Sequence, residues 1–214
     1  MPKLKPATQV ARREHILDAA ELCFARDGFH RTTMQNICKE AAISAGALYV
    51  YFASKEALIA GIVERDRHKL SAQFANLATA PDLMQALTAL GQHYFIEEPQ
   101  YKRILHIEIG CESTRNSEVG EAFSTTDQYC IARFAELFER AKAEGKIAPI
   151  LDVASIAQVM GVIGDGMFWR RAVDPTFDAK SAFATIVGIM TNLLNPIAPG
   201  TQDSASPELT KVLS

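Results

Sequence analysis

Apolar residues recur every three or four positions almost throughout this chain, and runs that alternate in the manner of a strand are nearly absent. A spacing of three and four puts apolar side chains on one face of a helix, so the fold class is all-α. Clusters of Pro, Gly, Ser and Asp divide the pattern into about nine helices, over 8–26, 34–41, 45–51, 55–78, 82–97, 99–111, 118–144, 152–173 and 178–194. Gly28 can take the left-handed conformation that closes the first of them. Thr32 or Thr33, Ser44 and Ser54 stand where side-chain caps belong. The expected organisation is a three-helix head over 1–54, a connecting helix over 55–78, a helical body over 55–195, and a disordered tail over 196–214 rich in Pro, Ser, Gly and Thr.

The two short helices near 34–51 are the informative pair. Helices of that length joined by a tight turn need neighbours to hold their crossing angle. Phe24, Phe29, Ile37, Ala41, Ile43, Leu48, Phe52 and Leu58 suit a small shared core. The residues left outside are Gln35, Ser44, Ala45, Gly46, Ala47, Tyr49, Val50 and Tyr51, the face a recognition helix offers to a major groove.

Gly28-Phe29, Thr32-Thr33, Ile37, Ala41, the run Ile43-Ser44-Ala45-Gly46-Ala47-Leu48-Tyr49-Val50-Tyr51-Phe52 and Ser54-Lys55-Glu56-Ala57-Leu58 together resemble the DNA-binding domain of the tetracycline-repressor (TetR) family. The resemblance covers about residues 10–60 and implies a helix-turn-helix head on a ligand-binding and dimerisation body. It implies phosphate contacts for Thr33, Tyr49, Tyr51 and Lys55, and a base-edge role for Gln35. Ser44, Ala45, Gly46 and Ala47 then form the groove-facing tip, where alanines offer only close approach and methyl contact. Simpler roles stay open: a cap for Thr33, a capping box with Thr32 for Gln35, packing for the tyrosines, solvent for Lys55. Ala42 stands where the family often has glycine, at a cost of about 1 kcal/mol if its φ is positive. Lys3, Lys5, Arg12 and Arg13 form a basic arm able to reach phosphates.

Charge agrees with that division. Residues 1–70 hold 11 Lys and Arg against 8 Asp and Glu, a balance of +3, whereas the remainder hold 11 against 17, a balance of −6. No stretch approaches the roughly 18 apolar residues of a membrane span, and no apolar segment follows the basic N-terminus, so a cytoplasmic location is expected. Cys23, Cys38, Cys111 and Cys130 are too scattered for a zinc site or disulfide framework. His106, Glu108 and Glu112 do not share one helical face, so no metal is expected. Gly161, Gly164 and Gly166 lie in a helix with no strand before them, which excludes a dinucleotide fingerprint. No cofactor and no catalytic constellation is predicted, and the chain is not read as an enzyme.

The body offers more aromatic residues than a narrow core requires. Phe74, Leu77, Leu90, His93, Tyr94, His106, Ile107, Tyr129, Phe134 and Trp169 are candidates to line a small-molecule pocket, with core packing as the plain alternative. Gly161, Gly164, Phe168, Ile186, Ile189, Met190 and Leu193, on the last two helices, are candidates for a homodimer face. The function expected is a transcriptional regulator that binds double-stranded operator DNA as a homodimer. Most simply it is a repressor released by an apolar or aromatic effector. The alternative is a DNA-binding protein with no small-molecule effector, controlled by a protein partner.

Overall fold

The structure, a computed structural model, describes residues 6–197. Lys3, Lys5 and the tail beyond residue 197 lie outside the described residues. Nine α-helices are present among them, α1 (Pro6–Asp27), α2 (Met34–Glu40), α3 (Ala45–Tyr49), α4 (Lys55–Thr79), α5 (Leu83–Gln92), α6 (Gln100–Ser113), α7 (Ser117–Ala143), α8 (Val153–Val173) and α9 (Ala179–Leu194). The sequence pattern placed each of them to within a few residues.

The one interruption it missed lies in the predicted helix 82–97. The chain widens there into a π-helical turn, His93–Glu97, before Pro99. The Glu98 amide bonds to the His93 carbonyl at 2.9 Å. Arg171 and Arg103 then donate to the Phe95 and Glu98 carbonyls that the turn leaves open.

Side-chain caps start most of the helices. Thr33, Ser44, Ser54, Asp82, Asn116, Asp152 and Asp178 each accept an amide from the first turn that follows. Two buried clusters result. The first joins Leu17, Phe24, Ile37, Leu48 and Leu58 of the head to Leu105, Ile109 and Val119 of α6 and α7. The second lies in the body around Phe138, Ile156 and Leu194. Helix α4 feeds both, with Leu58 and Ile62 in the first and Phe74 and Leu77 in the second. The head is thus seated on α6 and linked to the body by a continuous helix. Beyond α7 the chain pairs with the segment around the end of α9: Ile147 pairs with Pro196, and Ile150 donates to the Leu193 carbonyl at 3.0 Å.

Candidate DNA-binding face and ligand cavity

Every residue expected in the head core is buried, except Ile43, which is half-buried against it. Helix α2 ends in a left-handed turn on Ala42, with φ at 51°. The amides of Ala42 and Ile43 bond back to Lys39 and Cys38 at 3.2 and 3.0 Å, so two open carbonyls of the helix end are met. His15, on α1, meets another: its Nε2 lies 2.9 Å from the Ala41 carbonyl. These bonds set how α3 leaves α2.

Helix α3 then presents Ala45, Gly46 and Tyr49 to solvent, followed by Val50, which is 79% exposed. Ser44 caps α3 through the Ala47 amide at 3.2 Å. Gln35 is exposed beside this face, and Tyr51 is half-buried against the core. Thr33, not Thr32, caps α2. It forms a reciprocal box with Asn36, the two amide bonds measuring 2.9 and 3.1 Å. Gln35 therefore stands outside the box and is free to reach outward. Thr32 is buried, its hydroxyl donating to the Gly28 carbonyl at 2.8 Å.

Lys55 is more constrained than a surface lysine. Its ammonium lies over the Phe29 ring, 4.3 Å from the centroid, and donates to the Phe29 carbonyl at 2.5 Å. An ammonium carries three donors, so one is committed to the fold and two are left for an anion. Arg13 is likewise committed, to Glu64 at 2.9 Å and the Phe52 ring. Arg12 is exposed.

Between α4, α5, α6, α7, α8 and α9 lies a cavity of about 370 Å³. Its wall is mostly apolar, with Leu90, Phe95, Phe123, Phe134, Phe168 and Phe183 among the lining residues. Gly161 and Gly164 make room for it: a Cβ at either would meet only Ile131 or Phe95, at 3.8 Å. Tyr94 donates to Gln73 at 2.6 Å, and burial, only partly opposed by that bond, pushes its hydroxyl up to about 12. Burial, followed by the Asp127 charge, pushes the Cys130 thiol up to about 11. Asp127 is raised above the usual carboxylate value by burial and then by Asp165, with His106 opposing.

Lys102 also lines the cavity, and its ammonium donates to Glu21 of α1, which is fully buried. The same carboxylate accepts Arg65 of α4 at 2.5 Å, and Arg65 continues to Asp18 at 2.7 Å. Two further polar links tie α6 to the head. Glu108 accepts the Phe29 amide at 3.1 Å, and Glu112 faces His30 at 3.0 Å.

Residues 16–62 match the family model described as bacterial regulatory proteins, tetR family. The chain is 30% identical over 188 residues to the HTH-type transcriptional regulator UidR of Escherichia coli, covering 84% of this chain and 93% of that protein. The solved structure of Salmonella enterica GusR superposes with a TM-score of 0.75 at 31% identity, over 91% of this chain and all of that one. A complex of SmeT with triclosan superposes with a TM-score of 0.74 at 25% identity, over 92% and 100%. The chain belongs to the tetR family. It is therefore a DNA-binding transcriptional regulator, not an enzyme.

Within this tetR-family fold the body residues sort differently from the sequence expectation. Of the expected pocket residues, Leu90, Tyr94, His106 and Phe134 line the cavity. Phe74 and Leu77 instead fill the body core, with Phe74 edge-on to Phe134 at 4.7 Å. His93 and Trp169 are exposed. Tyr129 packs beside Arg133 and Arg67. Ile107 is half-buried and does not line the cavity, because it is turned about 100° from its neighbour His106 on α6.

Most of the residues expected at a dimer face turn inward within the chain. Gly161, Gly164, Phe168, Ile186 and Met190 line the cavity, and Leu193 packs on the body core. Of that set Ile189 is exposed. Helix α8 carries apolar residues on every side, so its periodicity could not show which side turns inward. Its outward stripe is Val159, Val162, Gly166, Trp169 and Val173. Those five positions follow the alternating three-four spacing of a helix-packing seam. That three-four spacing is legible in the sequence. Nothing in the sequence marked Glu21 or Lys102.

The residues weighed as a metal site face different partners: His106 meets Asp165 at 3.2 Å, Glu108 meets the Phe29 amide, and Glu112 meets His30. Cys23 and Cys38 are buried, and none of the four thiols forms a disulfide. No helix among the described residues is long and apolar enough to cross a membrane.

Proposed function

We propose that this chain is a repressor that grips its operator as a homodimer and releases it when an apolar or aromatic molecule fills the cavity. The observation that carries this reading is the cavity itself, about 370 Å³ with mainly apolar walls. A control by partner protein alone would be consistent with a filled body. A solved relative in complex with triclosan supports a small-molecule effector.

On the DNA, Thr33, Tyr49, Tyr51 and the two free donors of Lys55 hold phosphates. Gln35 reads a base edge, and Ser44, Ala45, Gly46 and Ala47 approach the groove floor. The α8 stripe, joined by Ile189 of α9, packs against the same surface of a second copy. Two-fold symmetry then sets the paired α3 helices roughly 34–36 Å apart, one turn of DNA. Release runs through α6 and α4. A molecule that moves either helix pulls on Glu21, held from α6 by Lys102 and from α4 by Arg65, and so on α1. Only an effector that favours one head spacing over the other shifts the equilibrium.

The test is fluorescence anisotropy on labelled DNA flanking the chain's own gene, titrated with an aromatic ligand library. Binding should weaken with salt, and a ligand should release the DNA. Gly164→Leu, which fills the cavity, should bind DNA normally and ignore that ligand. A ligand that releases wild type and Gly164→Leu equally would refute the reading.

A further inference from the structure

We infer that the cavity takes a lipophilic monocation: an aromatic or alkyl body with one fixed positive charge. The inference rests on the cavity being the effector site. Four carboxylates on separate parts of the chain line it: Asp66 of α4, Glu98 after the π-helical turn, Asp127 of α7 and Asp165 of α8. Facing them are two groups that can carry positive charge, Lys102 and His106, and no arginine. The Lys102 charge is already matched by buried Glu21. His106 lies 3.2 Å from Asp165 and also acts on Asp127, so one imidazole is shared between two acids.

That leaves three acids under-compensated. Asp127 takes part in no ion pair among the described residues. Glu98 has a side chain only 18% exposed; His93 lies 4.0 Å from its carboxylate, and Arg103 beside it spends a donor on the Glu98 carbonyl and forms no ion pair with the carboxylate. Asp66 has Lys69 at 3.7 Å and Arg65 at 3.9 Å, both long. Carboxylates beside a low-dielectric wall repel an anion and attract a cation far more strongly than they would in water.

The rest of the wall suits the same occupant. Phe95, Phe123, Phe134 and Phe168 line the cavity, and ring faces attract a poorly hydrated cation. An anionic effector would find no free arginine or lysine. A neutral one would leave the acids desolvated and unpaired. Both costs fall away for an organic cation.

The experiment is calorimetric titration of the full chain with two probe series. One is phenyltrimethylammonium, its neutral carbon isostere tert-butylbenzene, and benzenesulfonate. The other, matched in size, is tetraphenylphosphonium against tetraphenylborate. In at least one series the cation should bind about tenfold or more tighter than its neutral or anionic counterpart. The double substitution Glu98→Gln with Asp127→Asn should remove about tenfold of cation affinity and leave the neutral probe unchanged. Gly164→Leu should abolish all binding. Anionic or neutral probes that equal the cations, or cation affinity unmoved in the double variant, would overturn the inference while Gly164→Leu still blocks binding. Probe binding that persists in Gly164→Leu, or no binding in either series, would instead overturn the cavity as the effector site.

Discussion

Two adjacent alanines at the end of α2 differ in backbone conformation, and replacing each by glycine should move stability in opposite directions. Ala42 is left-handed, with φ at 51°. Ala41 is right-handed, with φ at −78°, and its methyl is buried. An L-residue in the left-handed region carries about 1–2 kcal/mol of strain, and a glycine there carries none. Glycine's freer unfolded chain takes back about 0.5–1 kcal/mol. The exposed Ala42 side chain loses little packing, so Ala42→Gly should gain about 0.5–1 kcal/mol. At Ala41 no strain is relieved. There the lost methyl burial and the added chain entropy both count against the fold, for a loss of about 1–2 kcal/mol. For a chain of this length each kcal/mol moves Tm by about 2–4 °C. Thermal unfolding followed by circular dichroism, at one protein concentration because the Tm of an assembling protein depends on it, should show Ala42→Gly above wild type and Ala41→Gly below it. Ala42→Gly at or below wild type would show that the turn is not strained, and the reasoning would fail.

Tyr49→Phe combined with Lys55→Ala should weaken operator binding, and the loss of the Lys55 charge should flatten its salt dependence by about one phosphate contact in anisotropy measurements. Lys55→Ala should also lower Tm, because it abandons the Phe29 carbonyl and ring. Val162→Glu places a charge in the middle of the outward α8 stripe, so sedimentation should show monomers, with operator affinity lost alongside. Undisturbed dimers would move the interface elsewhere. Glu21→Gln strips the shared carboxylate from Arg65 and Lys102. By denaturant unfolding it should cost about 3–5 kcal/mol, the usual penalty for breaking a buried ion pair. Asp127 has a folded pKa above its ordinary 3.8, so its contribution is fully present below that value and is lost as pH rises through the raised one. Asp127→Asn should therefore be more stable than wild type at neutral pH, and the gap should close in acid; a gap that persists at low pH would assign the gain to something other than this titration.

The head was legible because its code is local. Caps at Ser44 and Ser54, the closing Gly28 and the buried positions Ile37, Leu48 and Phe52 each depend on neighbours within a few residues. Even there, a choice of one residue escaped. Thr33 caps α2 because Asn36 returns its amide bond, while Thr32 turns inward to Gly28 and Cys23. Lys55 and Arg13 read as surface cations, yet ring and carbonyl or carboxylate partners from distant parts of the chain engage both.

The body was legible as helices and not as a site. Gly161 and Gly164, expected at a dimer face, line the cavity inside the chain. Helix α8 shows why. When apolar residues occur on every side of a helix, periodicity carries no direction, and only the packing of α6, α7 and α9 decides which side turns inward. The sequence alone determined the all-α class, the order and approximate limits of the nine described helices, and the family of the head, since each follows from short-range spacing, capping and the run of residues from Gly28 to Leu58. Tertiary structure alone decided the cavity, its acidic lining, the outward stripe of α8 and the linkage of Lys102 and Arg65 through Glu21. Each of those depends on residues far apart in the chain meeting in one place, which no local pattern encodes.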